Sequence, residues 1–481
     1  MASREKKEPT FLSSVSWSFI DNISLFFINL VISAVLARLI APSEFGLLAM
    51  VSVFTGFLGI LKDFGINASL IYKQNLSRNE IDSVFWFNIL LSVFLGAIII
   101  FSAPLIGKFY NNPRLINITI AMGFLFIINT LSGTPNALIQ KKLLFKEFFF
   151  RNISNKILYG LTGIILALKG FGVWALIIGN LVSSIYLILI SFKLAGWVPR
   201  FYFNKKLLIP HIKYSLPLLG LKVLNYWSGN TDTLLVGKNF GETILGYYNK
   251  AYSLMLLPVS KISTSISRVI FPAFSRLQQN KDILWKKYIT LINTTAYITF
   301  PLMGLMFLLA DVIILTVYGR NWLPAVEYFR YFSMIGAINS LTYTGTIFQT
   351  IGKTKKIFYL NILLKLTVIA GIIIGLKIGN IKGVIFGYTL GSLIAFVINT
   401  HVLSKEFGRS FKSIISALWK EFSVNIVIIT GIYYLFYLFP LKNLLSKFII
   451  ITGIYGFMYF IFSNLFQLNG YKYIMHRIIK K

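Results

Sequence analysis

The chain is a series of apolar segments separated by short polar loops. About fourteen such segments, each about 20 residues long, follow one another between Phe11 and Gln467. Because an α-helix needs about 20 apolar residues to cross roughly 30 Å of hydrocarbon, the pattern predicts an all-α polytopic membrane protein with about fourteen transmembrane helices. The predicted spans are 12–37, 45–61, 83–107, 115–139, 149–168, 171–195, 212–236, 243–270, 286–317, 324–350, 357–376, 382–403, 414–439 and 444–468.

The loop charges predict which ends of these helices are cytoplasmic. The chain carries 47 Lys and Arg against 15 Asp and Glu, and the richest basic loops recur after every second span. Cytoplasmic loops are enriched in Lys and Arg, so both termini are predicted to be cytoplasmic and the number of helices to be even. We therefore interpret the net charge of +32 as orientation in the membrane and predict no nucleic-acid partner. The basic loop residues are Lys141, Lys142, Lys146 and Arg151; Arg200, Lys205 and Lys206; Arg276, Lys281, Lys286 and Lys287; Lys353, Lys355 and Lys356; and, in the tail, Arg477, Lys480 and Lys481.

The composition agrees with a membrane protein and argues against several other classes. The chain is 13% charged with a mean hydropathy of +0.73, whereas soluble proteins are about 25% charged. Cysteine is absent, and His211, His401 and His476 are far apart in sequence, which predicts no metal site and no cofactor. The loops are too short for an ATP-binding domain, and the sequence has no phosphate-binding G-x-x-x-x-G-K-[ST] motif. We expect the first apolar segment to stay in the mature protein as a membrane helix.

A faint internal repeat lies at an offset of 200 residues. In both copies a basic residue at a helix end is followed by an acid, Glu44 or Glu242, and then by a glycine, Gly46 or Gly246. Six predicted spans separate the copies, so the repeat is parallel, about an axis along the membrane normal. The predicted parts are a cytoplasmic tail (1–11), an N-lobe of six helices (12–195), a cytoplasmic linker (196–211), a C-lobe of six helices (212–403), and two extra helices with a basic tail (404–481).

Several ionisable residues fall inside the predicted spans. Such groups are costly in a membrane and are candidate functional residues by default. Helical spacing puts Asp21 and Asn22 on a polar stripe of span 1, and Lys222, Asn225 and Asp232 on one side of span 7. The remaining candidates are Lys156, Lys250, Lys261 and Lys365.

We expect the polar faces of spans 1, 7 and 8 to line one cavity between the lobes. Its net positive charge predicts an anionic ligand such as a phosphate, a pyrophosphate or an acidic sugar. Alternatives remain for each residue: Lys222, Lys250 and Lys261 could extend to the membrane surface. Asp21 could form a structural ion pair, and Asp232 could be paired or exposed near the outer end of its span.

Several short motifs resemble the polysaccharide-transporter family of Wzx-type lipid-linked oligosaccharide flippases. This family belongs to the multidrug/oligosaccharidyl-lipid/polysaccharide exporter superfamily, and the resemblance covers most of residues 10–410 and is nearest to the colanic-acid exporter subgroup. The motifs are Ala-Arg-Leu-Ile-Ala-Pro-Ser-Glu-Phe-Gly at 37–46, Gly-Val-Trp-Ala-Leu at 172–176, Asp-Thr-Leu-Leu-Val-Gly-Lys at 232–238, Leu-Gly-Tyr-Tyr at 245–248 and Pro-Ala-Phe-Ser at 272–275.

The resemblance implies a transporter rather than an enzyme. It implies alternating access in the bacterial inner membrane, with an undecaprenyl-pyrophosphate-linked O-antigen, capsule or exopolysaccharide repeat unit moved to the periplasmic leaflet. It also implies coupling to protons or sodium, for which Asp21, Asn22 and Asp232 are the candidates, and association with membrane lipids and with polymerase and chain-length proteins. Two alternatives remain: a membrane polysaccharide polymerase or ligase, and a drug–cation antiporter of the same superfamily. The short outer loops lack a carboxylate pair for glycosyl transfer, and a basic cavity does not suit cationic drugs.

Overall fold

The computed structural model describes residues 11–63, 65–441 and 443–479. In these ranges the regular structure is helical, which confirms the predicted all-α class. The helices are α1 (Phe11–Leu39), α2 (Pro42–Asp63), α3 (Ile66–Tyr72), α4 (Arg78–Tyr110), α5 (Arg114–Thr130), α6 (Gly133–Lys141), α7 (Phe145–Leu168), α8 (Val173–Ala195), α9 (Lys205–Ser275), α10 (Lys281–Leu308), α11 (Ala310–Val317), a 3₁₀ turn (Arg320–Trp322), α12 (Ala325–Asn339), α13 (Thr344–Thr350), α14 (Thr354–Leu376), α15 (Ile381–Glu406), α16 (Lys412–Leu438), α17 (Leu444–Leu465) and α18 (Asn469–Ile479).

Eleven segments of the described chain are long and apolar enough to cross a membrane. The protein is therefore a multi-pass membrane protein, as predicted, while the number fourteen stays a prediction. Several predicted spans are two consecutive helices: 115–139 is α5 and α6, and 286–317 is α10 and α11. Conversely, spans 212–236 and 243–270 both lie in α9, which is interrupted at Gly241, where φ is 79°. Glycine lacks the Cβ atom that disfavours positive φ, so it suits this break.

The chain divides into two compact units, Met1–Gly246 and Tyr247–Lys481. In the first unit, α7 packs between α1 and α8, and α4 packs against α5. One apolar cluster joins α1, α7 and α8, and another joins α4, α6 and α8. These contacts bring the polar residues of α1, α6, α7 and α8 together inside one bundle.

The two repeated segments of the sequence contact each other within the first unit. A Cβ atom on Gly46 would lie 1.7 Å from the backbone oxygen of Glu242, and one on Gly246 would lie 2.0 Å from the backbone oxygen of Pro42. Only glycine allows two backbones to approach this closely. Because residues 42 and 46 meet residues 246 and 242, the contact is reciprocal.

In the second unit, the closest helix pair is α14 with α15. A Cβ atom on Gly371 would lie 2.3 Å from the oxygen of Gly387, and one on Gly387 would lie 2.1 Å from the oxygen of Gly371. Small residues at such crossings are typical of membrane helices, which gain most of their association energy from close van der Waals packing. Helix α10 packs against α12, α16 and α18, so the C-terminal helices belong to this unit.

Candidate functional site

The first unit contains a buried polar network centred on Arg151 of α7. Its side chain is 4% exposed. Nη1 donates to Ser191 Oγ on α8 at 2.9 Å and to Asn136 Oδ1 on α6, while Nη2 donates to Asn152 Oδ1 at 2.8 Å. The guanidinium carbon lies 4.3 Å from the centroid of the Phe148 ring. A guanidinium is always charged in proteins, so the network holds a permanent cation in the bundle.

Asn152 connects this cation to an acid on α1. Its Nδ2 donates to both carboxylate oxygens of Asp21, at 3.3 and 3.1 Å, while its Oδ1 accepts from Arg151. Asp21 is 9% exposed. One amide thus joins a carboxylate and a guanidinium that do not touch directly. The two charges compensate each other. Without such compensation, burying an ion costs several kcal/mol of desolvation free energy.

A second polar contact lies two turns away along α8, where this helix meets α5. Ser184 of α8 donates to Asn129 of α5 at 2.6 Å and lies 3.1 Å from Asn180. Ser191 likewise lies 3.2 Å from Asn136 Oδ1. Since two turns rise about 10 Å, the two contacts form a polar seam along α8 that ends at Arg151.

The structure brings Asp21 into the network and separates Asn22 from it. Asn22 is exposed and its Nδ2 donates to Ser18 O at 2.7 Å within α1. Lys156 lies one turn beyond Asn152 on α7, half-buried, with its ammonium 5.7 Å from the centroid of the Tyr159 ring. Helical spacing by itself puts Asn152, Lys156 and Tyr159 on one face of this helix.

The assignment of Arg151 to a cytoplasmic loop was wrong. Its neighbours Lys141, Lys142 and Lys146 suggest an orienting loop charge, whereas the structure buries Arg151 in α7. The signal for its burial was its position inside the predicted span 149–168. The polar partners from α6 and α8 could not be found in this way because they lie in other helices.

The other candidate residues of the first unit lie on α9. Asp232 is buried and accepts the Thr233 N–H at 2.8 Å, whereas Lys222 and Asn225 are exposed. A hydrogen bond from the next backbone N–H partly satisfies the Asp232 carboxylate. The exposed positions of Lys222 and Asn225 leave both side chains accessible in this conformation.

Three candidate lysines lie in the second unit. Lys250 is half-buried on α9, and its ammonium lies 5.5 Å from the centroid of the Tyr318 ring. Lys365 is half-buried on α14, and Lys261 is exposed. A ring face attracts a cation, so Tyr318 stabilises the charge on Lys250.

His211, in the predicted cytoplasmic linker, is buried against α3. Its Nδ1 lies 2.6 Å from Ser69 Oγ, which itself donates to Ile66 O at 2.6 Å, so Nδ1 is the donor between them. Burial lowers the pKa of His211, while Glu80 opposes and Lys73 reinforces this shift. Among the described residues, no three His, Cys, Asp or Glu side chains are grouped as a metal site requires.

The fold is shared with solved membrane transporters. The chain superimposes on a structure of the lipid II flippase MurJ in an inward closed conformation, with a TM-score of 0.72, 18% identity, and coverage of 93% of this chain and 98% of that one. An inward-facing multidrug resistance MATE family transporter gives a TM-score of 0.58 with 17% identity, covering 80% of this chain and 95% of that one. The class is therefore a helical multi-pass membrane protein with the MurJ and MATE fold.

The chain belongs to the polysaccharide biosynthesis protein family, whose model matches residues 35–327. It is 27% identical to the lipopolysaccharide biosynthesis protein WzxC of Escherichia coli (strain K12), over 89% of this chain and 87% of that protein. It is 24% identical to the teichuronic acid biosynthesis protein TuaB of Bacillus subtilis (strain 168), over 86% of each chain. These findings confirm the resemblance to Wzx-type polysaccharide transporters.

Proposed function

We propose that the protein is a flippase rather than an enzyme. Its cargo would be an oligosaccharide repeat unit linked to undecaprenyl pyrophosphate, moved from the cytoplasmic to the periplasmic leaflet of the bacterial inner membrane by alternating access. The relatives named for lipopolysaccharide and teichuronic acid biosynthesis, and the fold shared with a lipid II flippase, support this class of cargo. The products served would be O-antigen, capsule or exopolysaccharide.

The observation that carries this proposal is the excess of cations on the long apolar helices. The candidate cations on α7, α9 and α14 outnumber the acids Asp21, Asp232 and Glu421 on α1, α9 and α16. These cations are Arg151, Lys156, Lys222, Lys250, Lys261 and Lys365. A pyrophosphate carries more than one negative charge, and lysine binds phosphate as a point charge. We therefore propose these lysines, together with Asn225, as contributors to cargo binding.

We propose that Asp21 couples transport to protons or sodium. In its charged form the carboxylate compensates Arg151 through Asn152. Protonation would remove this negative charge and leave Arg151 as an uncompensated buried cation, which favours a nearby anion. A sodium ion on Asp21 would have the same electrostatic effect. Asn22 and Asp232 are the further candidates for the coupling ion.

The MATE fold keeps a drug–cation antiporter as a second candidate. A site for cationic drugs would require a surplus of acids, and the helices carry a surplus of lysines instead. A polysaccharide polymerase or ligase remains the enzymatic alternative. We also expect the flippase to associate with polymerase and chain-length proteins and with membrane lipids.

The direct test is transport in proteoliposomes. The purified protein is reconstituted with a radiolabelled undecaprenyl-pyrophosphate oligosaccharide, and its movement between leaflets is followed with and without a pH or sodium gradient. We expect protein-dependent movement that one of the two gradients accelerates. Chain extension of the same lipid without movement between leaflets would establish the polymerase alternative instead.

Two variants then test the residues. Lys222→Gln/Lys250→Gln should reduce transport strongly, and Asp21→Asn should abolish the effect of the gradient while leaving gradient-independent movement. Lys355→Gln, an exposed lysine near the start of α14, is the matched control and should transport normally. Normal transport by the double variant would refute the assignment of the cargo site but not the flippase activity.

A further inference from the structure

The second unit contains a cavity of about 900 Å³ between three helices. It is lined by residues from the first two turns of α16 and α18 and from the third and fourth turns of α10, among them Thr290, Asn293, Ser413, Ser416 and Lys472. The sequence places all three helix starts on the cytoplasmic side, because each follows a predicted cytoplasmic loop or tail. We call this space the C-terminal cavity.

The surroundings of the C-terminal cavity are strongly basic. Lys472 lines it and is exposed, Lys412 directly precedes Ser413, and Lys286 lies one turn before Thr290. The nearby acid at the start of α10, Asp282, is bonded to Arg409 at 2.5 Å. After Glu421, the sequence contains no further Asp or Glu but carries Lys472, Arg477, Lys480 and Lys481 near its end. An anionic ligand therefore fits this cavity and a cationic one does not.

The lining offers hydrogen bonds to such a ligand. Asn293 is 7% exposed, and its Oδ1 has no partner among the described residues. A flip of this amide about its side-chain bond exchanges its oxygen and its NH₂ group. The NH₂ group can then donate a hydrogen bond to a phosphate oxygen. Thr290, Ser413 and Ser416 donate only to carbonyls of their own chain segment, so their hydroxyls can rotate toward a ligand.

The wall formed by α18 is fixed to the rest of the unit. Asn469 Nδ2 donates to Ala417 O at 3.2 Å, and the Gly470 N–H donates to Glu421 Oε1 at 3.2 Å. Glu421 is fully buried and is not part of the lining, so its carboxylate lies behind this wall. These hydrogen bonds fix the position of α18, so the wall of the cavity is a stable part of the fold.

We propose that the C-terminal cavity binds the phosphate headgroup of an anionic phospholipid from the cytoplasmic leaflet. The lining also contains Ile289, Ala417 and Met475, which suit the glycerol and upper acyl carbons, and Tyr471 and Tyr473, a residue type enriched at membrane interfaces. A soluble phosphate would gain nothing from this apolar part. The negative charge of the lipid and the basic residues around the cavity are complementary.

The test uses the full-length protein in neutral detergent. Binding of short-chain phosphatidylglycerol is compared with binding of phosphatidylcholine of the same chain length and of inorganic phosphate, by native mass spectrometry and by the shift in unfolding temperature. We expect phosphatidylglycerol to bind and to stabilise the protein, and the other two to do neither at equal concentration. Equal binding of phosphatidylcholine, or stabilisation by inorganic phosphate alone, would overturn the proposal.

Variants locate the site. Because a lysine near an anionic lipid surface contributes enough for a severalfold change in affinity, Lys472→Gln should weaken phosphatidylglycerol binding about fivefold. Asn293→Leu should weaken it as well. Lys355→Gln removes the same charge from another predicted cytoplasmic helix start and should leave binding unchanged. Since Lys472 is exposed, its variant should fold normally; an unchanged affinity in that folded variant would refute the site.

Discussion

Two buried ionisable side chains of this protein, Arg151 in the first unit and Glu421 in the second, are satisfied in different ways. Arg151 is surrounded by side chains from α6, α7 and α8 and is linked through an amide to an acid on α1. Glu421 accepts one backbone N–H from Gly470, and its Oε2 has no partner among the described residues. The first is a compensated pair of charges, and the second is a carboxyl group held by a backbone donor.

This difference determines what each region tolerates. In the first unit, removing either charge leaves the other buried and uncompensated, so the network depends on both. In the second unit, a neutral carboxyl or amide at position 421 can accept the same hydrogen bond. We infer that the charge itself matters at Asp21 and Arg151, and that at Glu421 the hydrogen bond matters more than the charge.

The largest effect is expected for Arg151→Met. Breaking a buried ion pair by removing one partner costs about 3–5 kcal/mol of unfolding free energy, because Asp21 stays buried without its cation. Denaturant titration in detergent micelles measures this loss. Lys193→Met, an exposed position on α8, is the control and should be near neutral. If Asp21→Asn/Arg151→Met is no more stable than the sum of the single losses predicts, the two charges do not interact.

A matched pair of neutralising variants compares the two acids. Asp21→Asn should lower the unfolding free energy by about 3 kcal/mol, the lower end of the cost of removing one partner of a buried pair, because Arg151 loses its anion but keeps its other hydrogen bonds. Glu421→Gln should change it by less than about 1 kcal/mol, since the amide oxygen still accepts the Gly470 N–H. The same titration measures both. Equal losses for the two variants would contradict the comparison.

Gly470→Ala tests the contact that holds α18 in place. A Cβ atom there would lie 2.3 Å from the Cβ of Tyr297, so α18 has to shift, at a cost of about 1–3 kcal/mol. Faster proteolysis of the C-terminal segment should accompany this loss. The control is Gly453→Ala on α17, where a Cβ atom has open space. Equal behaviour of the two alanine variants would exclude tight packing at Gly470.

The smallest effect on stability is expected for His211, a buried base. Its lowered pKa means that the unfolded chain binds a proton more readily than the folded one, so its contribution to stability is present above about pH 6.5 and is lost as the pH falls through the lowered pKa. His211→Gln should flatten the decline of stability between pH 7 and 5. His401→Gln, at an exposed position, should keep the wild-type slope; a flattened slope in both would show that the effect is not specific.

Part of the site could be predicted from the sequence. An acid such as Asp21 inside an apolar span is conspicuous by itself, and helical spacing places Asn152, Lys156 and Tyr159 on one face. Glu421 did not appear among the candidates, although it lies inside the predicted span 414–439. Arg151 was grouped with the loop charges beside it. Residues near the end of a span are ambiguous, because one turn decides whether a charge reaches water or stays inside the bundle.

The sequence by itself determined that this is a helical, multi-pass membrane protein of the polysaccharide-transporter type, because the length of an apolar segment and the spacing along one helix are local properties. The tertiary structure decided that α6, α7 and α8 surround Arg151 and that Asn152 connects it to Asp21 on α1. It also decided the backbone contacts at Gly46 and Gly246 and the hydrogen bond from the Gly470 N–H to Glu421. Which faces of different helices meet depends on how their side chains pack, and the periodicity of one helix does not contain that information.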